Sequence, residues 1–300
     1  MGKIRSILSL FRWPNLVIVF LAMYLFSYCL IQPFQPIFTR QVFYLMAIAC
    51  VLVAAAGNVI NDYYDQAIDI INKPEKVYIG KSISSKLALT LYVLLNVSAI
   101  SAGVYADYLQ HSHYVVLFVL SSIVLLWFYS RYFKKMYLIG NIIVAWLTTA
   151  PMVLLTVIEI EDFGKSQQYP IIVLYLFFSF WTCLIREILK DCEDVQGDIA
   201  AQAKTLPIVS GIANAKSILT TFIGLMMAVF ATLAYILYAF SNWWIFAYVL
   251  ILFWMFLFLF LTVKKCETSL DFHQASSLTK WIMLIGILSM ILIRLFVRIM

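Results

Sequence analysis

Polar residues interrupt this chain at wide intervals, and between them lie nine nearly unbroken apolar stretches, at approximately 14–32, 41–61, 85–106, 113–130, 137–158, 170–189, 212–239, 243–263 and 276–297. Each is close to the roughly 20 residues an α-helix needs to cross a hydrocarbon layer about 30 Å thick. Helices bond their own backbone, which is why lipid admits them. The pattern predicts an all-α polytopic membrane protein, a bundle of about nine transmembrane helices around a central cavity, with residues 1–300 as a single transmembrane domain. Two polar segments are longer than the other connections and are expected as loops: 62–84 after the second stretch and 190–211 after the sixth.

Composition agrees with a lipid environment. The chain is 64% hydrophobic and only 12% charged, where a soluble domain carries roughly 25% charge. Lys and Arg are retained on the cytoplasmic side of short loops. With the N-terminus inside, that side holds 17 of the 21 basic residues, leaving Arg40, Lys165, Arg294 and Arg298 outside. The net charge of +6 is therefore a topology signal spread over several loops, not a nucleic-acid surface. It places both polar segments on the cytoplasmic face of a multi-pass protein, expected in the cell's inner membrane. The five cysteines have no metal-ligand spacing and read as reduced, small apolar residues.

The chemistry is concentrated. Of 15 acidic residues, nine fall in or beside the two polar segments: Asp62, Asp65, Asp69, Glu75, Glu187, Asp191, Glu193, Asp194 and Asp198. On a helix, Asn61, Asp65 and Asp69 share one face, drifting about 40° per step. Glu187, Asp191, Asp194 and Asp198 make a second stripe if their helix continues. Carboxylates stacked in this way repel one another, so a cation should lie between them. Carboxylate and amide oxygens without His or thiolate suit Mg²⁺, which is commonly held together with substrate phosphates. Lys73, Lys76, Arg186, Lys190 and Lys204 flank the clusters and Lys134 lies on the same side, so a diphosphate is the expected shared partner. Tyr63, Tyr64, Trp127 and Tyr129 are either interfacial belt residues or pocket walls. An apolar cavity with such a mouth fits a prenyl diphosphate at both ends.

Asn61-Asp62-Tyr63-Tyr64-Asp65-Gln66-Ala67-Ile68-Asp69 with Asn72-Lys73-Pro74-Glu75-Lys76 resembles the first motif of the UbiA superfamily of intramembrane prenyltransferases. Arg186-Glu187-Ile188-Leu189-Lys190-Asp191-Cys192-Glu193-Asp194-Val195-Gln196-Gly197-Asp198, with Lys204-Thr205-Leu206-Pro207, resembles the second. Smaller matches are Arg12-Trp13-Pro14-Asn15, Tyr129-Ser130 followed by Lys134, and Gly140-Asn141. The resemblance implies a nine-helix bundle in which Asn61, Asp65, Asp194 and Asp198 hold Mg²⁺ bridged by the diphosphate, supported by Asp69 and Asp191, with Asp62 counted in the same catalytic cluster. It further implies that Lys134 and Arg186 contact phosphate oxygens, that Asn15 lines the pocket, and that Lys73, Lys76, Tyr129, Lys190 and Lys204 belong to the substrate site. Lys73, Lys76 and Val77 after the first motif, and Gln202 after the second, depart from the usual pattern.

The expected activity is Mg²⁺-dependent transfer of a prenyl group from a polyprenyl diphosphate to a lipophilic acceptor. The resemblance points to geranylgeranylglyceryl phosphate or a similar glycerol phosphate lipid precursor. An aromatic acceptor of quinone biosynthesis, of the 4-hydroxybenzoate or homogentisate type, would use the same metal site. A cation transporter is the competing class. Transport sites sit near the bilayer midplane, whereas nearly every ionisable residue here falls at the end of an apolar stretch or between two of them.

Overall fold

The computed structural model describes residues 3–32, 39–159 and 169–299. A short helix α1 (Lys3–Leu10) leads into α2 (Trp13–Leu25), which a π-helical turn carries on to Ile31. Then follow α3 (Arg40–Asn72), α4 (Ser85–Gln110), α5 (Tyr114–Arg131), α6 (Ile139–Glu159) and α7 (Tyr169–Glu193). Two short helices, α8 (Val195–Ala200) and α9 (Leu206–Ser210), precede α10 (Ile212–Ala239), α11 (Trp243–Lys265) and α12 (Ser269–Ile299). Among the described residues nine helices are long and apolar enough to span a membrane.

Local chemistry marks the helix ends. Pro14 occupies the first turn of α2, where its missing N–H costs nothing. Ser84 caps α4 by accepting the Leu87 N–H at 3.2 Å, and Pro74 stops α3 by forcing Lys73 out of the helical region. The structure corrects the two expected loops. Helix α3 does not end at residue 61 but continues to Asn72, and α7 reaches Glu193 before α8 and α9 take up most of the second segment. Apolarity alone placed the ends too early, because a helix satisfies its backbone equally well under Asp and Asn side chains.

Helix α7 packs against α6, α10 and α12, while α3 packs along α4 and α5 and touches α8. One large apolar core fills the α7–α10–α11–α12 side and a second joins α2 and α3 to α6 and α7. Between α2, α6, α7 and α12 lies an apolar cavity of about 60 Å³, lined by Ile18, Thr148, Tyr175, Thr182 and Met283 among others. Pro151, inside α6, also faces it. All five cysteines are buried and unpaired.

Candidate active site

The first acidic row occupies the last three turns of α3, and Asn61 donates its Nδ2–H to Asp65 Oδ2 at 2.7 Å. Asp62 lies off that row and pairs with Arg12, Nη2 to Oδ1 2.7 Å. Arg12 itself stands at the turn between α1 and α2, with φ +53°. The second row runs along α7 and into α8. Asp194 occupies the junction, and its carbonyl still accepts the Asp198 N–H at 3.1 Å, so helical phase is kept. Asp191, on the same row, accepts from Asn141 Nδ2 at 2.8 Å.

Asn72 joins the rows. Its Nδ2–H donates to the Asp194 carbonyl at 3.1 Å and its Oδ1 accepts the Gly197 N–H at 2.8 Å. A Cβ on Gly197 would fall 2.3 Å from Asn72 Nδ2, so any larger residue there must displace the Asn72 amide. Lys73 donates to both Asp194 carboxylate oxygens at 2.8 Å and lies 3.1 Å from Glu193 Oε1. Lys134, in a 3₁₀ turn (Phe133–Lys135) between α5 and α6, pairs with Asp65 Oδ1. Asp65 and Lys134 both lie within electrostatic reach of Asp198. The two rows therefore face each other across a pair of lysines.

This compartment is short of positive charge. Lys73 serves Asp194 and Glu193, Lys134 serves Asp65, and His273 meets Glu193 at 3.0 Å. Among the described residues Asp69, Asp191 and Asp198 have no ion pair of their own, with Arg12 and Lys190 acting on Asp69 and Asp191 from a distance. Burial, and then the charge of Asp194, push Asp198 up to about 6, against a 3.3 Å hydrogen bond from the Thr205 hydroxyl. Burial also raises Asp194, in spite of Lys73. For Lys73, burial disfavours the charged form, but Asp194 and Glu193 outweigh it and hold the ammonium above its ordinary range. Lys134 goes the other way, lowered by burial with Asp65 opposing.

The residues present fit a hard cation. Asn61, Asp65, Asp194 and Asp198 offer only oxygen ligands, and Asn61 Oδ1 is buried without a hydrogen-bond partner, an acceptor in need of a donor or an ion. Among the described residues no three His, Cys, Asp or Glu side chains converge as a finished cage. Mg²⁺ rarely uses one, since it keeps waters and takes substrate phosphate oxygens beside one or two carboxylates.

A basic group lies alongside. Glu187 accepts from Arg186 Nη1 at 3.1 Å and from Lys190 Nζ at 2.6 Å, and Lys280 of α12 donates to Asn15 Oδ1 of α2 at 2.9 Å. Arg186 and Lys190, expected with Asn15 around one diphosphate, thus meet at Glu187, and Arg186 lies within electrostatic reach of Lys280, which holds Asn15. Tyr129 lies within reach of the charges of Glu187, Asp191, Asp65 and Arg12. Lys204 is exposed, and its N–H donates to the Lys135 carbonyl at 2.7 Å, with no ion pair to the rows among the described residues. The Lys76 side chain lies outside the described residues. Sequence reasoning gave no role in the site to Asn72, Asn141, Gly197 or Lys280, and counted Arg12 only toward topology. Asn72, Gly197, Asn141 and Arg12 stood inside the quoted motifs, but nothing in the sequence marked Lys280.

These features define a class: a polytopic helical membrane protein with a split polar site clamped at one end of its bundle. The chain belongs to the UbiA prenyltransferase family, whose sequence pattern matches residues 15–285. It is 36% identical over 168 residues, 56% of each chain, to the digeranylgeranylglyceryl phosphate synthase of Methanothermobacter thermautotrophicus. The matches to such curated relatives span between 56 and 72% of the relatives' length. Two solved structures share the fold. A digeranylgeranylglyceryl phosphate synthase structure superposes with a TM-score of 0.67 at 23% identity, covering 98% of this chain and 99% of the other. A UbiA homologue from Archaeoglobus fulgidus bound to GPP and Mg²⁺ gives 0.61 at 16% identity, covering 94% and 98%.

Proposed function

We propose that this chain transfers a prenyl group from a polyprenyl diphosphate to a glycerol phosphate lipid, geranylgeranylglyceryl phosphate or a close analogue, with Mg²⁺ as cofactor. The observation that carries the reading is the pair of acidic rows stapled face to face by Asn72 and Gly197, with Lys73 and Lys134 between them. The names of the relatives, and the GPP and Mg²⁺ bound to a structural neighbour, support it. Asn61, Asp65, Asp194 and Asp198 would hold the ion, with Asp62, Asp69 and Asp191 supporting them. Mg²⁺, when bound, offsets the negative charge that develops on the departing diphosphate.

The chain's own residues do the rest. Lys73 and Lys134 exchange carboxylate partners for phosphate oxygens and hold the leaving group. Tyr129 brings an aromatic ring to a site where an allylic cation gains from one. The acceptor's hydroxyl oxygen forms the new C–O bond and gives up its proton. We assign that proton to Asp191, which accepts from Asn141 and is acted on by both Asp198 and Glu187. The bias of basic residues supports a cytoplasmic site and N-terminus.

Purified protein supplied with Mg²⁺, labelled geranylgeranyl diphosphate and either geranylgeranylglyceryl phosphate or 4-hydroxybenzoate tests this directly. Labelled product is expected from the glycerol phosphate lipid. Transfer to the aromatic ring alone would overturn the acceptor assignment.

A further inference from the structure

At the end of the bundle away from the acidic rows, helix α12 carries Arg294 among Ile291, Leu292, Ile293 and Leu295. It stands about 21 Å beyond Lys280 along the helix, at roughly 1.5 Å per residue. A charged residue among apolar neighbours on a spanning helix is costly and normally has a partner. Arg294 has no ion pair among the described residues. Of the elements packed on α12, helix α2, its π-helical turn and α11 contain no Asp or Glu, and α7 has none before Glu187. The one described carboxylate at this end is Asp107. It is occupied by the Ser112 hydroxyl at 2.7 Å and by the N–H groups of Val115 and Val116 at 3.1 and 2.8 Å.

What meets the guanidinium instead is aromatic. Its carbon lies 5.1 Å from the centroid of the Tyr28 ring. Tyr28 stacks on Tyr24 at 5.7 Å, and Tyr24 on Phe20 at 6.5 Å, so three rings form a row down α2 toward the middle of the bundle. Tyr28 belongs to the π-helical turn Phe26–Ile31, a distortion that recurs at functional sites, and the charge of Arg294 also reaches Cys29 on that turn. A ring face offsets part of a cation's charge but leaves the donors of the guanidinium fork to be filled. The Arg294 Nε–H is buried with no hydrogen-bond partner. Ile291 and Leu295 beside Arg294, and Tyr24 in the row, are exposed, and the exposed faces of spanning helices meet lipid. A free anion does not enter that surroundings without great cost, whereas a lipid brings its own phosphate to the edge of it.

We infer that Arg294, with Tyr28, Tyr24 and Phe20, forms a binding site for a phospholipid of the leaflet opposite the acidic rows. The guanidinium takes the phosphate oxygens of the head group, for which its planar fork is suited. The row of rings takes the upper part of one hydrocarbon chain. The site joins α12 to the π-helical turn after α2 through a molecule of the bilayer itself. It stands apart from the prenyl-transfer reading, since none of its residues belongs to the acidic rows or to the basic group beside them.

The test uses the full chain in an uncharged detergent, titrated with phosphatidylglycerol, with bound lipids counted by native mass spectrometry. Basic residues at the other end also attract anionic lipid, so the readout is the difference between proteins. Wild type is expected to hold one phosphatidylglycerol that Arg294→Met binds roughly 10- to 100-fold more weakly, the range for loss of one charged hydrogen bond. Arg294→Lys, which keeps the charge and loses the fork, is expected to fall between the two. Tyr28→Leu should weaken the same lipid by about two- to fivefold. Equal affinity in wild type and Arg294→Met would overturn the site. A comparison in wild type alone needs no variant to fold: diacylglycerol, with the same chains and no phosphate, is expected to leave the bound phosphatidylglycerol in place. Displacement by an equal amount of diacylglycerol would reduce the site to an apolar surface and overturn it. Displacement by millimolar inorganic phosphate would mean a water-borne anion, and would overturn the lipid assignment.

Discussion

The acidic rows and the basic group share one end of the same bundle, and helix α7 contributes to both, yet they are built on opposite principles. In the rows, six carboxylates come together from α3, α7 and α8, of which Asp194 and Glu193 pair with Lys73 and Asp65 with Lys134, and the local imbalance is negative. Around Glu187, Arg186 and Lys190 share one carboxylate while the nearby Arg12 is paired with Asp62, and the local imbalance is positive. Along α7 the two differ by about one turn, Glu187 against Asp191. Each imbalance is costly at a half-dry interface unless a ligand completes it. The difference teaches that the site is divided by charge, carboxylate-rich along the rows and cation-rich around Glu187. Asp191 lies on the boundary.

Removing a carboxylate from the rows should break this division most severely. Asp65→Ala or Asp194→Ala is expected to lower prenyl transfer by on the order of 10²–10³-fold, with thermal unfolding showing a folded protein. Full activity in either variant would refute the rows as the metal site. Gly197→Ala probes the staple without touching a charge. Its Cβ must displace Asn72 and with it the register of the rows, and misplacements near 1 Å cost roughly 10²-fold. Wild-type turnover in this variant would mean that the Asn72 contact is incidental.

Acidity sharpens the comparison on a smaller scale. Asp198 is held at about 6, above the ordinary carboxylate value of 3.8, so its charged form is the unfavourable one in the folded, metal-free protein. That penalty is present in full above pH 6 and fades as pH falls from about 6 toward 4. The metal-free protein should therefore gain stability over that window, while Mg²⁺ affinity drops by up to about tenfold per pH unit for each displaced proton. Titration calorimetry at pH 7.5 and 5.5 would read the affinity, and equal values would remove Asp198 from the ligand set. At the bottom of the scale stands Ser84→Ala, which deletes a helix cap on α4 and should cost about 1 kcal/mol of stability with no change in turnover.

The fold was legible because membrane insertion imposes a local rule: nine apolar stretches became nine long helices among the described residues. The same rule misplaced two ends, since hydropathy fell at Asp62 and Lys190 while the helices went on. Phasing at i, i+4 and i+8 put Asn61, Asp65 and Asp69 on one face, and the Asn61 to Asp65 hydrogen bond agrees. What spacing could not supply was any contact between distant segments. The Asn72 staple closes over more than 120 residues and the Lys280 to Asn15 bond over 265. Lys280 looked like a topology determinant because an isolated lysine at a helix end has that appearance. Arg12 sat within a quoted motif, but its partner Asp62 was visible only once α3 continued past the membrane stretch as a helix.

The most direct test of the central claim is equilibrium binding of geranylgeranyl diphosphate to the purified chain, with and without Mg²⁺, in wild type, Asp65→Ala and Asp194→Ala. Binding that is strengthened by Mg²⁺ in wild type and insensitive to Mg²⁺ in both variants is the predicted result. Equal Mg²⁺-dependent binding in all three proteins would contradict the assignment of the acidic rows.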